Sequence, residues 1–377
     1  MKKIFTLILA STFTFAAWAQ KQYGLKVILK NGETVEYSTS DIESINVVSY
    51  EQEEPAVKGA SYSVAVPATS DFKASQVYKV MSEGTQVAEL AYEYIKPAKK
   101  RMIVAYAMGK DGKANLAKGI TADGGIVEWD VEQDTCTYTE GTKAPTAFYF
   151  NNGKVTATAI ENATAATLEA DVINDKRFLE KKTYAIVKIG VQYWMAENLA
   201  TSFYVDGSSI EYCTGNQMED WKANKTGAYH IIADDAENIS SVYGYMYNGY
   251  AVTNSKGIAP EGWEVPSYNQ WLALKKYAGS AATNYRSDVE DSWAEGKTGT
   301  NLTGFNGLPG GYFNTVEGGD VREGYEIYFW SSTSQKDALT RTEAIIPTRL
   351  TNGNNIVVNN MNLHDYMFGH YIRCIRK

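Results

Sequence analysis

Short runs of β-branched and aromatic residues, each closed by a turn signal, constrain this chain more than any other feature. Between residues 61 and 178 the runs are SYSVAV, QVYKV, RMIVAYAM, GIVEWDV and TAFYF, and the segments GKDGK and NNGK supply turns. Short runs of this composition, bounded by glycine and asparagine, are typical of strands in an all-β sandwich. We therefore predict a β-sandwich-like domain over 61–178. The segment QVAELAYEYIK is left open as a strand or a helix.

Residues 20–48 predict a small β unit. In LKVILKNGETVEY, apolar residues alternate with other residues on both sides of Asn31-Gly32. An Asn-Gly pair between two alternating runs indicates a hairpin, because both residues tolerate positive φ. A third strand is predicted from SINVV. The acidic, apolar-poor residues 49–60 follow, and we interpret them as a linker.

The first 19 residues have the pattern of a secretory signal peptide. Lys2 and Lys3 precede an apolar run over 4–17, and Ala17-Trp18-Ala19 has the A-x-A form of a cleavage site. This pattern predicts export and a mature chain that begins at Gln20. No later run approaches the roughly 18 apolar residues of a transmembrane helix, so none is expected after signal removal.

Composition argues against one class of partner. The chain has 44 acidic and 36 basic residues and a net charge of −8. An acidic surface repels phosphate backbones, and no cluster of basic residues is interleaved with aromatic ones, so nucleic-acid binding is disfavoured.

Residues 258–279, IAPEGWEVPSYNQWLALKKYAG, predict a helix with a defined start and end. Ser267 is a good N-cap, and Gln270 completes a capping box with it. Gly279 supplies the stop. Trp263 lies between two prolines just before the helix, which indicates a packing anchor. The apolar side chains that recur at helical spacing are Trp271, Leu274 and Ala278.

Six motifs in order make the second half of the chain recognisable. They are VKIGVQYWMAENLA, YGYMYN, APEGWEVPSYNQWLAL, GFNGLPGGYF, YFWSST and YIRCIRK. Together they resemble the Fibrobacter succinogenes major paralogous domain family over residues 183–377. The resemblance implies an α+β, C-type-lectin-like domain with a few helices, a small antiparallel sheet and long loops. It also implies a protein that is secreted or held at the surface of a diderm bacterium.

The resemblance also assigns roles to residues. The family's W-M-x-x-N-L, G-W-x-x-P and W-S-S motifs fall on residues that we interpret as mainly structural, since a buried tryptophan contributes a large apolar area to a loop-rich domain. These residues are Trp194, Asn198, Gly262, Trp263, Pro266, Trp330 and Ser331.

The cysteines depart from the family pattern. Ala259 stands where the family usually has a cysteine that pairs with the one in the C-terminal R-C, which is Cys374 here. Either Cys374 pairs with Cys213 or it stays reduced and buried, and we predict the Cys213–Cys374 disulfide. Cys136 is then the remaining thiol.

Motifs of known enzyme classes are missing from the sequence. It contains no H-E-x-x-H, G-x-S-x-G, G-x-G-x-x-G or Walker loop. His364 and His370 could meet as metal ligands, but nothing supplies companion ligands at metal spacing. The acidic loops 234–237 and 288–291 could hold a structural calcium, although solvated loops are favoured. We therefore predict no metal, no cofactor and no enzyme activity.

The expected function is that of a secreted or cell-surface binding module, which presents a lectin-like domain to a glycan or a protein partner. Long loops on a rigid scaffold carry such functions, so any ligand is expected at the loops over 285–362. The candidate ligand-binding residues are Tyr312, Asn314, Arg322 and Tyr325. Two alternatives stay open: a structural subunit of a surface or fimbrial assembly, and a glycan-active hydrolase.

Overall fold

Strands dominate the part of the chain that the structure describes: 42% of those residues are in strands and 11% in helices, in several sheets, which confirms the β-rich prediction. The computed structural model describes residues 24–28, 34–38, 60–177, 180–232, 240–337, 342–358 and 363–377. The chain divides into two compact units, residues 1–58 and 59–377.

In the first unit, strands β1 (Gly24–Ile28) and β2 (Thr34–Ser38) pair antiparallel, with Val27 opposite Val35. This register is that of the hairpin predicted around Asn31-Gly32. The turn itself, the third strand, the linker and the signal peptide lie outside the described residues, so those predictions stay predictions.

The second unit begins with an antiparallel seven-stranded sheet and a four-stranded sheet packed against it. The seven-stranded sheet consists, in spatial order, of β13 (Thr167–Ala170), β4 (Val77–Ser82), β5 (Thr85–Ile95), β6 (Lys100–Met108), β7 (Ala114–Thr121), β8 (Ile126–Asp130) and β9 (Thr135–Thr139). The four-stranded sheet consists of β11 (Lys154–Thr156), β10 (Ala147–Asn151), β3 (Ser61–Ala65) and β12 (Thr164–Ala165). The pair is sandwich-like, as predicted for 61–178, and QVAELAYEYIK is strand β5.

The seven-stranded sheet is buried on both faces. One face packs on the four-stranded sheet, where Leu90 and Ala105 meet Phe148. The other face carries Val104 and Trp129 into a second core that also contains residues from 184 onward. A strand with two covered faces needs apolar residues at consecutive positions, which explains why AELAYEYI does not alternate.

The described residues between 172 and 377 form the remaining sheets and four α-helices. A five-stranded sheet has the order β14 (Val172–Asp175), β15 (Lys182–Ile189), β16 (Gln192–Met195), β29 (Ile375–Arg376) and β20 (Trp263–Glu264). A nine-stranded sheet contains β17 (Glu211–Tyr212), β18 (Ala228–His230), β19 (Met246–Asn248), β28 (Gly369–His370), β21 (Gly310–Asn314), β23 (Glu326–Phe329), β26 (Thr348–Thr351) and β27 (Val357–Val358), with β22 (Gly319–Glu323) paired to β21. A two-stranded sheet pairs β24 (Ser334–Lys336) with β25 (Glu343–Ile345). The helices are α1 (Met218–Ala223), α2 (Ser240–Tyr243), α3 (Gly249–Thr253) and α4 (Tyr268–Ala278).

Helix α4 forms where the sequence predicts it. The Ser267 hydroxyl accepts from the Gln270 amide, and the Gln270 side chain accepts in return from the Ser267 amide, at 2.7 Å. Trp271 and Leu274 are fully buried, so the predicted apolar stripe faces the core. The chain leaves the helix at Gly279, whose φ of 86° favours glycine.

Residues 59–171 and residues 172–377, the two halves of the second unit, share hydrogen bonds as well as a core. The Gln76 amide donates to the Ile186 carbonyl at 2.9 Å, and the Ile186 amide donates to the Ser75 hydroxyl at 3.0 Å. The boundary between domains at 61–178 and 183–377 stays a prediction. Across the described residues, no helix has both the length and the apolar character needed to cross a membrane.

Candidate functional site

A cleft of about 890 Å³ opens where the seven-stranded sheet meets the five-stranded sheet. Its walls come from β4, β5 and the turn after β6 on one side, and from β16, α4 and the end of β29 on the other. Such a volume is in the range of small-molecule sites. The residues that matter most for its chemistry are Lys79, Glu89, Asp171, Gln192, Tyr193 and Arg376.

Glu89 lines this cleft and is 3% exposed. The Tyr193 hydroxyl donates to its carboxyl group at 2.6 Å. Burial raises the pKa of Glu89 from its ordinary value of 4.5 to about 7, while the Tyr193 bond and the charge of Arg376 act in the opposite direction. Near neutral pH this carboxyl group is therefore divided between its acid and its carboxylate forms.

A second carboxyl group of the cleft is fixed by two cations. Asp171 is bound by Arg376 at 2.7 Å and by Lys79 at 3.3 Å. The Arg376 guanidinium also lies 4.5 Å above the ring of Tyr193. Since Tyr193 is bonded to Glu89, one chain of contacts joins the charged groups of both walls.

Amide side chains complete the walls. Gln86, Asn115, Gln192 and Gln270 all line the cleft. The Gln192 amide nitrogen donates to the Gln270 carbonyl at 3.2 Å, which ties β16 to α4. Primary amides both donate and accept hydrogen bonds, so this surface can satisfy a ligand that carries many hydroxyl groups.

The turn predicted from GKDGK forms the outer wall. Gly109 and Lys113 close it through a backbone bond of 2.7 Å, and the Asp111 carboxylate accepts from the Lys113 amide at 3.1 Å. The side chains of Asp111, Lys113 and Asn115 are exposed there. The sequence thus located this turn without indicating that it borders a cleft.

The comparisons with known proteins agree with the motifs. The model of the Fibrobacter succinogenes major domain matches residues 187–376, just over half of the chain. The chain belongs to this family. Searches of curated proteins and of solved structures found no match.

The tryptophans of the Fibrobacter major domain are core residues in this chain. Trp194 and Trp330 are fully buried, and Trp263 is 6% exposed. The Trp194 ring lies 4.7 Å from that of Trp271, and the Trp330 indole donates to the Tyr247 carbonyl. These contacts agree with the structural interpretation of the motifs.

The polar motif residues join loops of the major domain. Asn198 donates to the Tyr243 carbonyl at 2.8 Å and accepts from buried Arg373 at 2.9 Å. Ser331 donates to the Ile346 carbonyl at 2.6 Å. The Pro266 carbonyl accepts from the Ser332 amide, and Gly262 has a φ of 78°.

Two of the four predicted ligand residues are buried, so the expectation that they are exposed was wrong. Tyr312 is 8% exposed and packs against Tyr328, with ring centroids 4.5 Å apart. Asn314 is 6% exposed, and its side chain accepts from the Val316 and Glu317 amides, which closes the turn after β21. Both side chains therefore make their contacts within the protein.

The other two predicted ligand residues are on the surface. Arg322 is exposed, and Tyr325 is 42% exposed, at the turn between β22 and β23. Neither lines the cleft. Their role in binding stays a prediction that concerns a second surface.

The expected disulfide is absent: Cys213 and Cys374 are both free thiols, as is Cys136. Cys374 immediately precedes β29 and has Asp175 and Arg177 as charged neighbours. Cys213 follows β17, with Glu211 and Asp220 nearby. The two thiols therefore lie in different surroundings, and burial raises the pKa of each.

His364 and His370 do meet, at 2.8 Å between ring nitrogens. Burial lowers the pKa of His364 to about 4 and holds that of His370 well below its ordinary value of 6.5, so the pair is neutral near pH 7. Among the described residues, no three His, Cys, Asp or Glu side chains gather as metal ligands. The acidic loop at 234–237 lies outside those residues.

Sequence reasoning missed Glu89 and Tyr193 as site residues. A signal was present in QVAELAYEYIK, where Glu89 and Glu93 interrupt an otherwise apolar strand on the same face. A carboxyl group that points into a covered face must have a partner or a raised pKa. Asp171 and Arg376 gave no comparable signal, because they come from segments that are far apart in the sequence.

Proposed function

We propose that the protein is a secreted or cell-surface binding module, without enzyme activity, that holds a glycan in the cleft around Glu89 and Tyr193. The cleft itself is the observation that supports this proposal most. Its volume is suited to an oligosaccharide, and its walls offer amide, hydroxyl and charged groups. A protein partner that inserts a polar loop is the alternative occupant.

The pairing of the charges favours a neutral, hydroxyl-rich ligand. The Asp171 carboxylate is already bound by Arg376 and Lys79. Glu89 is shielded by Tyr193. The Gln86 side-chain nitrogen donates to the Ala88 carbonyl, and the Asn115 side-chain oxygen accepts from the Ala117 amide. The groups best suited to meet ligand hydroxyls are therefore Gln86 Oε1 and Asn115 Nδ2. We further propose that binding requires neither a metal nor a cofactor, and that the major domain is a C-type-lectin-like scaffold.

The test is glycan-array binding by the full chain, followed by affinity measurements with any glycan that binds. Gln86→Ala and Asn115→Ala should each weaken binding roughly three- to tenfold, the usual effect of one lost hydrogen bond. Tyr325→Ala and Arg322→Ala are matched surface controls and should leave the affinity unchanged. Chelation with EDTA should also have no effect.

The opposite pattern would refute the cleft as the binding site. If Tyr325→Ala weakens binding and Gln86→Ala does not, the ligand binds at the turn between β22 and β23, as the sequence first suggested. If no variant changes the affinity for a verified glycan, neither surface is the site.

A hydrolase is the second candidate, and the raised pKa of Glu89 is the observation that favours it. Glycosidases need one carboxyl group that is protonated near neutral pH and a second that is ionised. Glu89, whose pKa burial raises to about 7, and Asp171, which Arg376 binds, are two carboxyl groups in one cleft. Release of reducing ends from a bound glycan, abolished by Glu89→Gln with binding retained, would establish hydrolysis. Binding without any such release would exclude it for that glycan.

A further inference from the structure

Lys188 on β15 and Glu93 on β5 form an ion pair in the interior of the protein. Both side chains are 0% exposed. The Lys188 amine donates to one carboxyl oxygen of Glu93, Oε2, in direct contact. The two residues belong to different sheets and are separated by 94 intervening positions, so the contact joins the two halves of residues 59–377.

Aromatic rings enclose the amine. Lys188 Nζ lies 4.4 Å from the ring centroid of Trp129 and 4.9 Å from that of Tyr106. Withdrawing an ammonium and a carboxylate from water costs several kcal/mol for each ion. Burial accordingly raises the pKa of Glu93, although the charge of Lys188 opposes this effect. The surroundings therefore disfavour the charged form of the Glu93 carboxyl group.

Two further groups are positioned around the contact. The Tyr106 hydroxyl donates to the other Glu93 oxygen, Oε1, at 2.6 Å, and itself accepts from the Trp129 indole at 3.0 Å. The Gly190 carbonyl accepts from Lys188 Nζ at 2.8 Å. The carboxyl group thus has a hydrogen-bond donor on one oxygen and an amine at the other.

We propose that Lys188 and Glu93 are a modification site, at which the chain condenses its own two side chains into an amide bond. The ammonium first passes one proton to Glu93 Oε2. The nitrogen lone pair then adds to the Glu93 carboxyl carbon, and negative charge develops on Oε1, where Tyr106 donates. The C–Oε2 bond breaks, and Oε2 leaves as water with the two protons that the nitrogen has lost.

The reaction balances without any other reagent. The three protons of the ammonium end as one amide N–H and one water molecule, and nothing is oxidised or reduced. Condensation between free molecules in water is unfavourable, but a fixed contact supplies a high effective concentration. The product also removes two buried charges and releases water to the solvent.

Intact-mass measurement of the purified full chain under denaturing conditions tests the proposal. The wild-type protein should be lighter than its sequence by about 18 Da, the mass of one water molecule. Lys188→Arg should restore the full mass, because a guanidinium is a poor nucleophile. Lys182→Arg, on the same strand, should retain the loss. Trypsin should not cleave after Lys188, and a linked peptide should contain both Lys188 and Glu93.

A wild-type mass equal to that of the sequence, with tryptic cleavage after Lys188, overturns the proposal and leaves an ion pair. That measurement needs no variant, so misfolding of Lys188→Arg would not affect the conclusion. A loss of water that persists in Lys188→Arg also overturns it, because the dehydration would then be elsewhere.

Discussion

Glu89 shows how one side chain can be structural and chemically active together. It occupies a strand position whose neighbours are apolar, and Tyr193 from the major domain supplies its hydrogen bond. The same burial that would destabilise a carboxylate there creates an acid that titrates near neutral pH.

Glu89 should make stability fall as pH rises from 4.5 to 7. Its pKa is about 7 in the folded chain and near 4.5 when it is exposed. The folded state therefore keeps a proton that the unfolded state loses, so the contribution is complete below pH 4.5 and lost as pH passes 7. Relative to Glu89→Gln, the wild-type free energy of unfolding should drop on the order of 3 kcal/mol between pH 4.5 and pH 8. Urea titrations of both proteins at each pH measure this difference, and parallel pH profiles would contradict it.

Trp263→Ala should cost about 3–5 kcal/mol, as truncation of a buried aromatic leaves a cavity. Trp263 is 6% exposed, and its backbone pairs with Arg376 across β20 and β29. Tyr325→Ala, at a side chain that is 42% exposed, is the control and should change stability little. Chemical denaturation compares them; equal midpoints would mean that Trp263 is not an anchor.

Single residues were predictable where local chemistry decides their role. Ser267 and Gln270 fix each other across three positions, and the predicted capping box is present. Tyr312 was mispredicted because its burial depends on Tyr328 and on rings near the chain's end. Nothing within its own loop indicates those contacts.

At the scale of elements, helix α4 connects the candidate site to the core. Its buried face carries Trp271 and Leu274, while Gln270, at its first turn, reaches the cleft. The capping box therefore holds a cleft residue in place as well as starting the helix.

Ser267→Ala should destabilise the protein by about 1 kcal/mol, the typical loss for a removed N-cap. Asn269→Ala, at an exposed position two residues later, is the matched control and should be nearly neutral. Thermal melts of both variants provide the comparison. A melting temperature for Ser267→Ala equal to that of Asn269→Ala would show that the cap contributes nothing.

Strand positions were largely predictable, but strand partners were not. The runs around β4 to β10 appear where composition placed them, because β-branched and aromatic residues suit a pleated, buried surface. The cleft forms because β16 and β29 approach the sheet that contains β5. The sequences of β16 and β29 do not indicate this contact. For this reason Glu89, Asp171 and Arg376 could not be grouped from sequence.

At the scale of the whole molecule, residues 59–377 depend on a core that both halves build. Trp129 from one half lies 5.5 Å from Tyr277 of the other, and Tyr94 accepts the hydrogen bond of Tyr277 through its carbonyl. Separating the halves would expose this surface to water, with the Lys188–Glu93 pair divided between them.

Residues 59–377 should therefore unfold in one cooperative transition, and a fragment of residues 183–377 should be less stable than the intact chain. The fragment would lose the covering of Ile186 and Tyr277 by the seven-stranded sheet. Urea unfolding followed by tryptophan fluorescence and by circular dichroism tests this. Two separate transitions, or a fragment as stable as the chain, would show that the halves fold independently.

The late position of β29 in the chain delays completion of the five-stranded sheet during synthesis. Trp194 on β16 pairs with Ile375, about 180 residues later, and β20 pairs with the same strand. At roughly 5–20 residues per second, a ribosome needs roughly 10–40 s to make that interval. Throughout this time the central strand of the five-stranded sheet has a vacant edge, so the nascent chain cannot complete its fold and exposes an edge to which another chain can pair.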